Sequence, residues 1–128
     1  MISYSTLGTN DMQRSIRFYD PVFGALGGER TTTSDTWTGS GRKGDRGMFF
    51  LTQPFNKQQA SPGNGAMLAV LAETRAAVDA FHAAALASGG VCEGPPGVRA
   101  GMDPVFYAAY VRDPDGNKLC GLHRMPTE

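Results

Sequence analysis

Two residues near the end of the chain, Cys120 and His123, carry the side chains best suited to covalent chemistry. A cysteine becomes a nucleophile when a neighbouring base raises the fraction present as thiolate, and histidine is a common base. The two residues are three apart in a segment whose apolar pattern predicts a strand, so they are expected on opposite faces. We therefore expect no local Cys–His pair. The alternative role of Cys120 is that of a small buried hydrophobic residue.

Three further side chains besides His123 are candidates for a site. His82 lies beside the apolar stripe of a predicted helix, where a surface or boundary position is expected. His123 follows the last predicted strand and is expected to face outward. Trp37 and Arg99 flank irregular segments and could reach the mouth of a cavity, where Arg99 could hold an anionic group.

The composition is that of an ordinary globular protein. The 128 residues fit a single domain, with 41% hydrophobic and 19% charged residues. Twelve basic and twelve acidic side chains balance, so neither nucleic acid nor a membrane surface is expected as a partner. No apolar run approaches the roughly 20 residues that span a bilayer, and no export signal is seen, so a cytoplasmic location is expected. There, Cys92 and Cys120 are expected as free thiols rather than as a disulfide.

A hairpin between Val105 and Leu122, VFYAAYVRDPDGNKLCGL, organises the elements that position these side chains. Two apolar strands flank the turn at 113–117. Pro114 sets the first corner of this turn, and Gly116 can take the left-handed conformation that its exit requires. The segment therefore predicts an antiparallel strand pair.

Two helices and several strands are predicted before the hairpin. The first helix has its cap at Asn10 or Asp11, a kink or tightened stretch at Pro21 and an end at 27–28; its apolar stripe is Met12, Ile16, Tyr19 and Phe23. The second is capped by Thr74 and ends at 89–90; its inward stripe is Val78, Phe81 and Ala85. Strands are predicted at 2–8, 29–38, 48–52, 66–72 and 91–93. We expect a glycine-rich connection at 39–47, a long loop over the mouth of a site at 53–65, little regular structure up to 104, and a frayed tail at 125–128.

The two halves of the chain match in outline. A shift of 63 residues places Tyr4 on Met67, Phe18 on Phe81 and Gly27 on Gly90. A weak internal duplication is therefore predicted, with two β-α-β-β-β modules at about 1–62 and 63–128 within a single domain, 1–128.

The chain resembles the vicinal oxygen chelate superfamily, which includes glyoxalase I, bleomycin-resistance proteins and extradiol dioxygenases. The segments that carry the resemblance are ISYSTLGTNDMQRSIRFYD, SPGNGAMLAVLAETRAAVDAFHAAALASGG and FYAAYVRDPDGNKLCGLH. The resemblance implies an α+β fold in which two β-α-β-β-β modules form a cupped mixed β-sheet, with the helices outside. It also implies a homodimer, in which the cup is often completed across the two chains.

Metal-binding relatives place one ligand on each of four strands, usually His, Glu or Gln. The matching positions here hold Tyr4, Phe50, Met67 and Cys120, none of which is a normal ligand for a catalytic divalent metal. The resemblance therefore implies a chain without the usual metal site and without a cofactor. Met67 and Cys120 leave open a soft site for monovalent copper. Tyr4 could donate a hydrogen bond to a ligand or tie down a loop from within the core.

The function expected is that of a metal-free binder of a small apolar or aromatic molecule. Its ligand-binding residues would be Tyr4, Phe50, Met67, Cys120 and Arg99.

Two alternatives remain open. The first is a metal-dependent lyase, isomerase or dioxygenase of the glyoxalase type with displaced ligands, drawn from Glu29, Glu73 or Glu93 with help from His82 or His123. The second is a dimeric interaction module whose cup has filled in. The superfamily hosts unrelated chemistries on one scaffold, so the fold does not decide among these functions.

Overall fold

The computed structural model of the chain describes residues 1–102 and 105–124. The first half contains β1 (Tyr4–Gly8), α1 (Met12–Gly24), β2 (Gly28–Thr33), β3 (Trp37–Arg42) and β4 (Met48–Thr52). The second half contains β5 (Leu68–Leu71), α2 (Arg75–Ala87), β6 (Val91–Val98), β7 (Tyr107–Arg112) and β8 (Lys118–His123). The tail predicted at 125–128 lies outside the described residues. No helix within the described residues is long and apolar enough to cross a bilayer.

Each half folds as a β-α-β-β-β module, so the predicted fold class is confirmed. The first sheet has the strand order β1-β4-β3-β2 and the second has the order β5-β8-β7-β6. In each sheet the first pair is parallel and the others are antiparallel. The two helices correspond at the predicted shift of 63 residues, since α1 spans Met12–Gly24 and α2 spans Arg75–Ala87.

Both helices begin at the predicted caps. The Asp11 side chain accepts a hydrogen bond from the backbone nitrogen of Arg14, and Thr74 accepts one from that of Ala77. Pro21 lies inside α1, and the chain tightens after it, because the nitrogen of Gly27 donates to the carbonyl of Gly24, only three residues back.

The single strand predicted at 29–38 is wrong, because the structure has two strands there, β2 and β3, separated by residues 34–36. The connection predicted at 39–47 is wrong in its first part, since β3 runs to Arg42 and pairs with both β2 and β4. Glycine is needed in β3 because a Cβ at Gly39 would lie 2.7 Å from Cε1 of Phe50. The irregular passage predicted after Glu93 is also wrong, since β6 continues to Val98. This strand tolerates its two prolines because it lies at the edge of its sheet and shifts register at Gly94.

The helices pack between the two sheets. α1 contacts β2 and β4, α2 contacts β6, β7 and β8, and the two helices contact each other. Phe18 and Phe81 are fully buried in a core that also contains Phe49 from the first sheet and Leu119 from the second. Each sheet therefore has one face on this shared core. Its opposite face carries no helix and points away from the core; we call it the helix-free face.

The turn at 113–117 joins the second module to the first. Asp115, whose side chain is only 2% exposed, accepts hydrogen bonds from Thr9 Oγ1 and from Arg14 Nη2, the latter at 2.8 Å. Asn117 Nδ2 donates to the carbonyl of Gly8 at 3.0 Å. These bonds hold the end of β1 and the start of α1 against the last hairpin, so the predicted turn has an additional role in fixing the two modules together.

Candidate functional site

Three aromatic side chains meet on the helix-free face of the first sheet. The ring centroid of Phe50 lies 5.3 Å from that of Tyr4 and 5.7 Å from that of Trp37, both edge to face. Strand alternation places Tyr4 on β1, Phe50 on β4 and Trp37 on β3 on the same side of the sheet. The rings line a cavity of about 480 Å³, whose remaining lining residues are Ser3, Thr6, Arg46, Met48 and Thr52.

The loop predicted over the mouth of the site lies next to this cavity. Residues 53–61 border a more polar hollow of about 730 Å³, which shares Thr6 and Thr52 with the aromatic cavity. Asn10 fixes the loop through two hydrogen bonds to Ala60, one with the backbone nitrogen at 2.7 Å and one with the carbonyl at 3.0 Å. Gly8 lets the loop approach, because a Cβ there would lie 2.9 Å from that of Ala60.

Cys120 and Met67 lie on the second sheet. Cys120 is 2% exposed and pairs in register with Tyr110 on the neighbouring strand. The guanidinium carbon of Arg99 lies 5.0 Å from the centroid of the Tyr110 ring, and the ammonium of Lys118 lies 5.4 Å from it. Met67 immediately precedes β5 and is 47% exposed. Strand alternation places these side chains on the helix-free face of the second sheet.

The four positions matched to metal ligands therefore fall into two pairs within one chain. Tyr4 and Phe50 share the aromatic cavity, whereas Met67 and Cys120 belong to the other sheet. The physical reason is the position of the helices, which separate the two sheets and turn their helix-free faces outward. Arg99 groups with the second pair.

Cys120 is poorly suited to act as a nucleophile. Burial raises the pKa of its thiol, and this effect outweighs the opposing influences of a hydrogen bond from Tyr110 and the charges of Arg99 and Lys118. The thiol is therefore protonated near neutral pH. Its environment fits the alternative interpretation of Cys120 as a small buried hydrophobic residue.

The two histidines do not join the cavity. His123 was expected to face outward, but it is the last residue of β8 and is only 6% exposed. Its Nδ1 lies 3.0 Å from the carbonyl oxygen of Ala72 and donates to it, so the ring fills a structural position. His82 lies at the boundary of α2, as predicted, with Nε2 at 3.2 Å from the sulfur of Cys92. The sequence analysis missed this contact because the packing of α2 against the edge strand β6 brings together two residues that are ten positions apart in the sequence.

The residues at the ligand positions do not fit a catalytic divalent metal. Phe50 offers no donor atom, Met67 offers only a thioether, and the Cys120 thiol is held protonated by burial. Within residues 1–102 and 105–124, no group of three or more His, Cys, Asp or Glu side chains could hold a metal ion. Glu93, one of the candidates for a displaced ligand, is bonded to Arg112 at 2.6 Å, and this bond lowers the pKa of its carboxyl group.

A separate apolar hollow of about 440 Å³ lies between β4 and β5. Its lining includes Phe49, Leu68 and Val70, which belong to the core faces of the sheets, together with the exposed Ile2. Neither Tyr4, Phe50, Cys120 nor Arg99 reaches it. This hollow lies where the two modules meet and provides a control location for binding experiments.

The chain matches the family model described as the Glyoxalase/Bleomycin resistance protein/Dioxygenase superfamily over residues 2–120. The crystal structure of a glyoxalase/bleomycin resistance protein from Albidiferax ferrireducens T118 is 42% identical in sequence, with 98% of this chain and 99% of that chain covered and a TM-score of 0.86. No curated protein matches the sequence.

More distant solved structures share the fold. A glyoxalase-related enzyme from Fulvimarina pelagi is 20% identical with a TM-score of 0.75, covering 95% of this chain and 86% of that one. A lactoylglutathione lyase from Agrobacterium tumefaciens is 22% identical with a TM-score of 0.66, covering 95% and 92%. At these identities the likeness extends to the fold alone.

Proposed function

The chain belongs to the glyoxalase/bleomycin resistance protein/dioxygenase superfamily, and from that membership we propose that it is a metal-free, homodimeric protein that binds a small apolar or aromatic molecule. The observation that carries this proposal is the cavity lined by Tyr4, Trp37 and Phe50. Its volume of about 480 Å³ lies within the range of small-molecule sites, and its walls combine aromatic rings with a few hydroxyl groups. An apolar or aromatic ligand would pack against these rings, while Ser3 or Thr6 would orient its polar atoms.

The proposal that binding needs no metal is supported by the side chains at the four positions matched to metal ligands. The alternative, a glyoxalase-type enzyme with displaced ligands, requires carboxylate and imidazole groups to converge. Three of the five candidates for that role are engaged elsewhere: His123 is bonded to a backbone carbonyl, His82 contacts Cys92, and Glu93 pairs with Arg112. We therefore favour capture of a ligand by shape and apolar contact over metal-dependent chemistry.

The homodimer is supported by the open helix-free faces. Tyr4 is 59% exposed and Met67 is 47% exposed, although both lie at positions expected inside a cup. A second copy could place its Met67 and Cys120 face opposite the aromatic face of the first copy, and the reciprocal contact would follow from two-fold symmetry. The four positions would then meet twice per dimer. Sedimentation equilibrium tests this step: a dimer is expected, and a monomer at micromolar concentration would contradict it.

An interaction module with a filled cup is the less favoured candidate. The aromatic cavity is open rather than filled, and Phe50 is only half-buried. A cytoplasmic location is part of the proposal and is supported by two free thiols, Cys92 and Cys120.

Metal analysis and native mass spectrometry of protein purified without a histidine tag test the function. We expect less than stoichiometric nickel, zinc, iron, manganese or copper, and a small molecule that dissociates from the folded dimer on activation. One divalent ion per chain would contradict the proposal and favour the displaced-ligand enzyme. One copper ion per chain would favour the soft site at Met67 and Cys120.

A further inference from the structure

The aromatic cavity carries a positive charge at its rim. Arg46 is the one charged residue among the described residues that line it. Its side chain is exposed, and no carboxylate pairs with it in the described part of the chain. By contrast, Arg42 at the end of β3 is bonded to Asp45 at 2.9 Å. The rings of Tyr4, Trp37 and Phe50 therefore share their cavity with a cation that has no ion-pair partner among the described residues.

The helix-free face of the second sheet is also cationic. Arg99 and Lys118 both lie against the ring of Tyr110. One carboxylate, Glu93, lies nearby, and it is bonded to Arg112. Among residues 1–102 and 105–124, these three cations and one carboxylate give this group a net of two positive charges, although the whole chain has a net charge of zero.

Arg99 is held in place by hydrogen bonds to two backbone carbonyls. Its Nη2 donates to the carbonyl of Ala108 at 2.8 Å and also to that of Pro95, while its buried Nε has no hydrogen-bond partner among the described residues. Gly94 provides the space, since a Cβ there would lie 3.2 Å from Nη2 of Arg99 and 3.0 Å from Cδ2 of Tyr110. A guanidinium fixed on an aromatic ring is well suited to bind a carboxylate, sulfonate or phosphonate.

We propose that the ligand is an aromatic anion, whose ring packs against Tyr4, Trp37 and Phe50 and whose negative charge is recognised by Arg46 together with Arg99 and Lys118. This inference rests on the proposed function, because it places the cationic face of a second copy opposite the aromatic cavity of the first. Positive charge on both walls of the cup would also concentrate anionic ligands at its mouth and would exclude cationic aromatic compounds.

The test uses two probes of similar shape and different charge, 4-nitrobenzoate and 4-nitrobenzamide. Trp37 is the single tryptophan of the chain and lies in the cavity, so quenching of its fluorescence reports binding. Titrations are made on the intact protein at low ionic strength, where charge recognition is least screened.

Three variants identify the cations that recognise the negative charge of the ligand. We expect 4-nitrobenzoate to bind the native protein about tenfold more tightly than 4-nitrobenzamide. The preference should fall severalfold in Arg46→Gln and in the double variant Arg99→Gln/Lys118→Gln. Arg17→Gln is the matched control, because Arg17 is an exposed cation on α1, away from both helix-free faces; it should keep the full preference. Thermal unfolding confirms that each variant is folded.

The outcomes separate this inference from the proposed function. Equal affinity for the two probes would overturn the inference, and so would a preference for 4-nitrobenzoate that survives in both Arg46→Gln and Arg99→Gln/Lys118→Gln. Either result would leave the protein as a binder of uncharged apolar molecules. The absence of saturable quenching by either probe would overturn the proposed function and this inference with it.

Discussion

The indole ring of Trp37 lies edge to face with the ring of Phe50, with centroids 5.7 Å apart and an interplanar angle of 63°. The contact depends on Gly39, which lies two residues after Trp37 on β3, pairs in register with Phe50 and leaves room for its ring. An apolar surface is thereby held open on a face that carries no helix. The same geometry places Trp37, the single tryptophan of the chain, in the proposed ligand-binding cavity.

Truncation of Phe50 should weaken binding without unfolding the protein. Phe50→Ala removes the central ring of the cavity, so affinity for 4-nitrobenzamide should fall about tenfold. Fluorescence titration measures the loss. Ile2→Ser, in the separate hollow between β4 and β5, is the control and should bind like the native protein. A loss in Ile2→Ser but not in Phe50→Ala would move the site to that hollow.

Gly121 should be intolerant of a side chain. A Cβ at this position of β8 would lie 2.6 Å from Cδ2 of the buried Phe81, so Gly121→Ala should lower the free energy of unfolding by about 1–3 kcal/mol. Gly97→Ala is the matched control in β6, because nothing lies within 4 Å of the added Cβ. Urea denaturation measures both. Equal stability of the two variants would show that Phe81 does not pack against β8 as described.

The two thiols should differ in reactivity. Cys92 is exposed and contacts His82, whereas Cys120 is buried. In the folded protein iodoacetamide should modify Cys92 quickly and Cys120 only after unfolding, as followed by peptide mass spectrometry. Rapid labelling of Cys120 in the native state would contradict its burial.

The buried thiol of Cys120 should make the free energy of unfolding decrease as the pH becomes alkaline. Because burial raises the pKa of its thiol in the folded state, the stabilisation is fully present below the ordinary thiol pKa of about 8.5. It is lost as the pH rises from that value through the folded pKa, since the unfolded chain releases the proton first. Denaturation at pH of about 7.5 and about 9.5 should show a smaller decrease in Cys120→Ala than in the native protein. Cys92→Ala is the control and should keep the native decrease.

Local signals predicted most of the elements. Asp11 and Thr74 marked the starts of the helices, and the turn around Pro114 marked the last hairpin, because caps and turns depend on nearby residues. The sequence misled where tertiary contacts override local preference. Gly39 in β3 looked like a loop residue, but its missing side chain is what the Phe50 ring requires.

The site was harder to predict than the fold. Tyr4, Phe50, Met67 and Cys120 could be assigned to strands, but the separation of the two sheets by α1 and α2 is set by long-range packing. Similarly, no spacing rule places Arg46 beside the aromatic rings or His82 beside Cys92. These proximities follow from the arrangement of elements in space rather than from any segment alone.

The most direct measurement is a titration of Trp37 fluorescence with 4-nitrobenzoate in protein treated with a chelator and then dialysed. We predict saturable quenching with the same affinity before and after chelation, and no gain when zinc, nickel, manganese or iron is added. Binding that is lost on chelation and restored by a divalent metal would contradict a metal-free binding cavity.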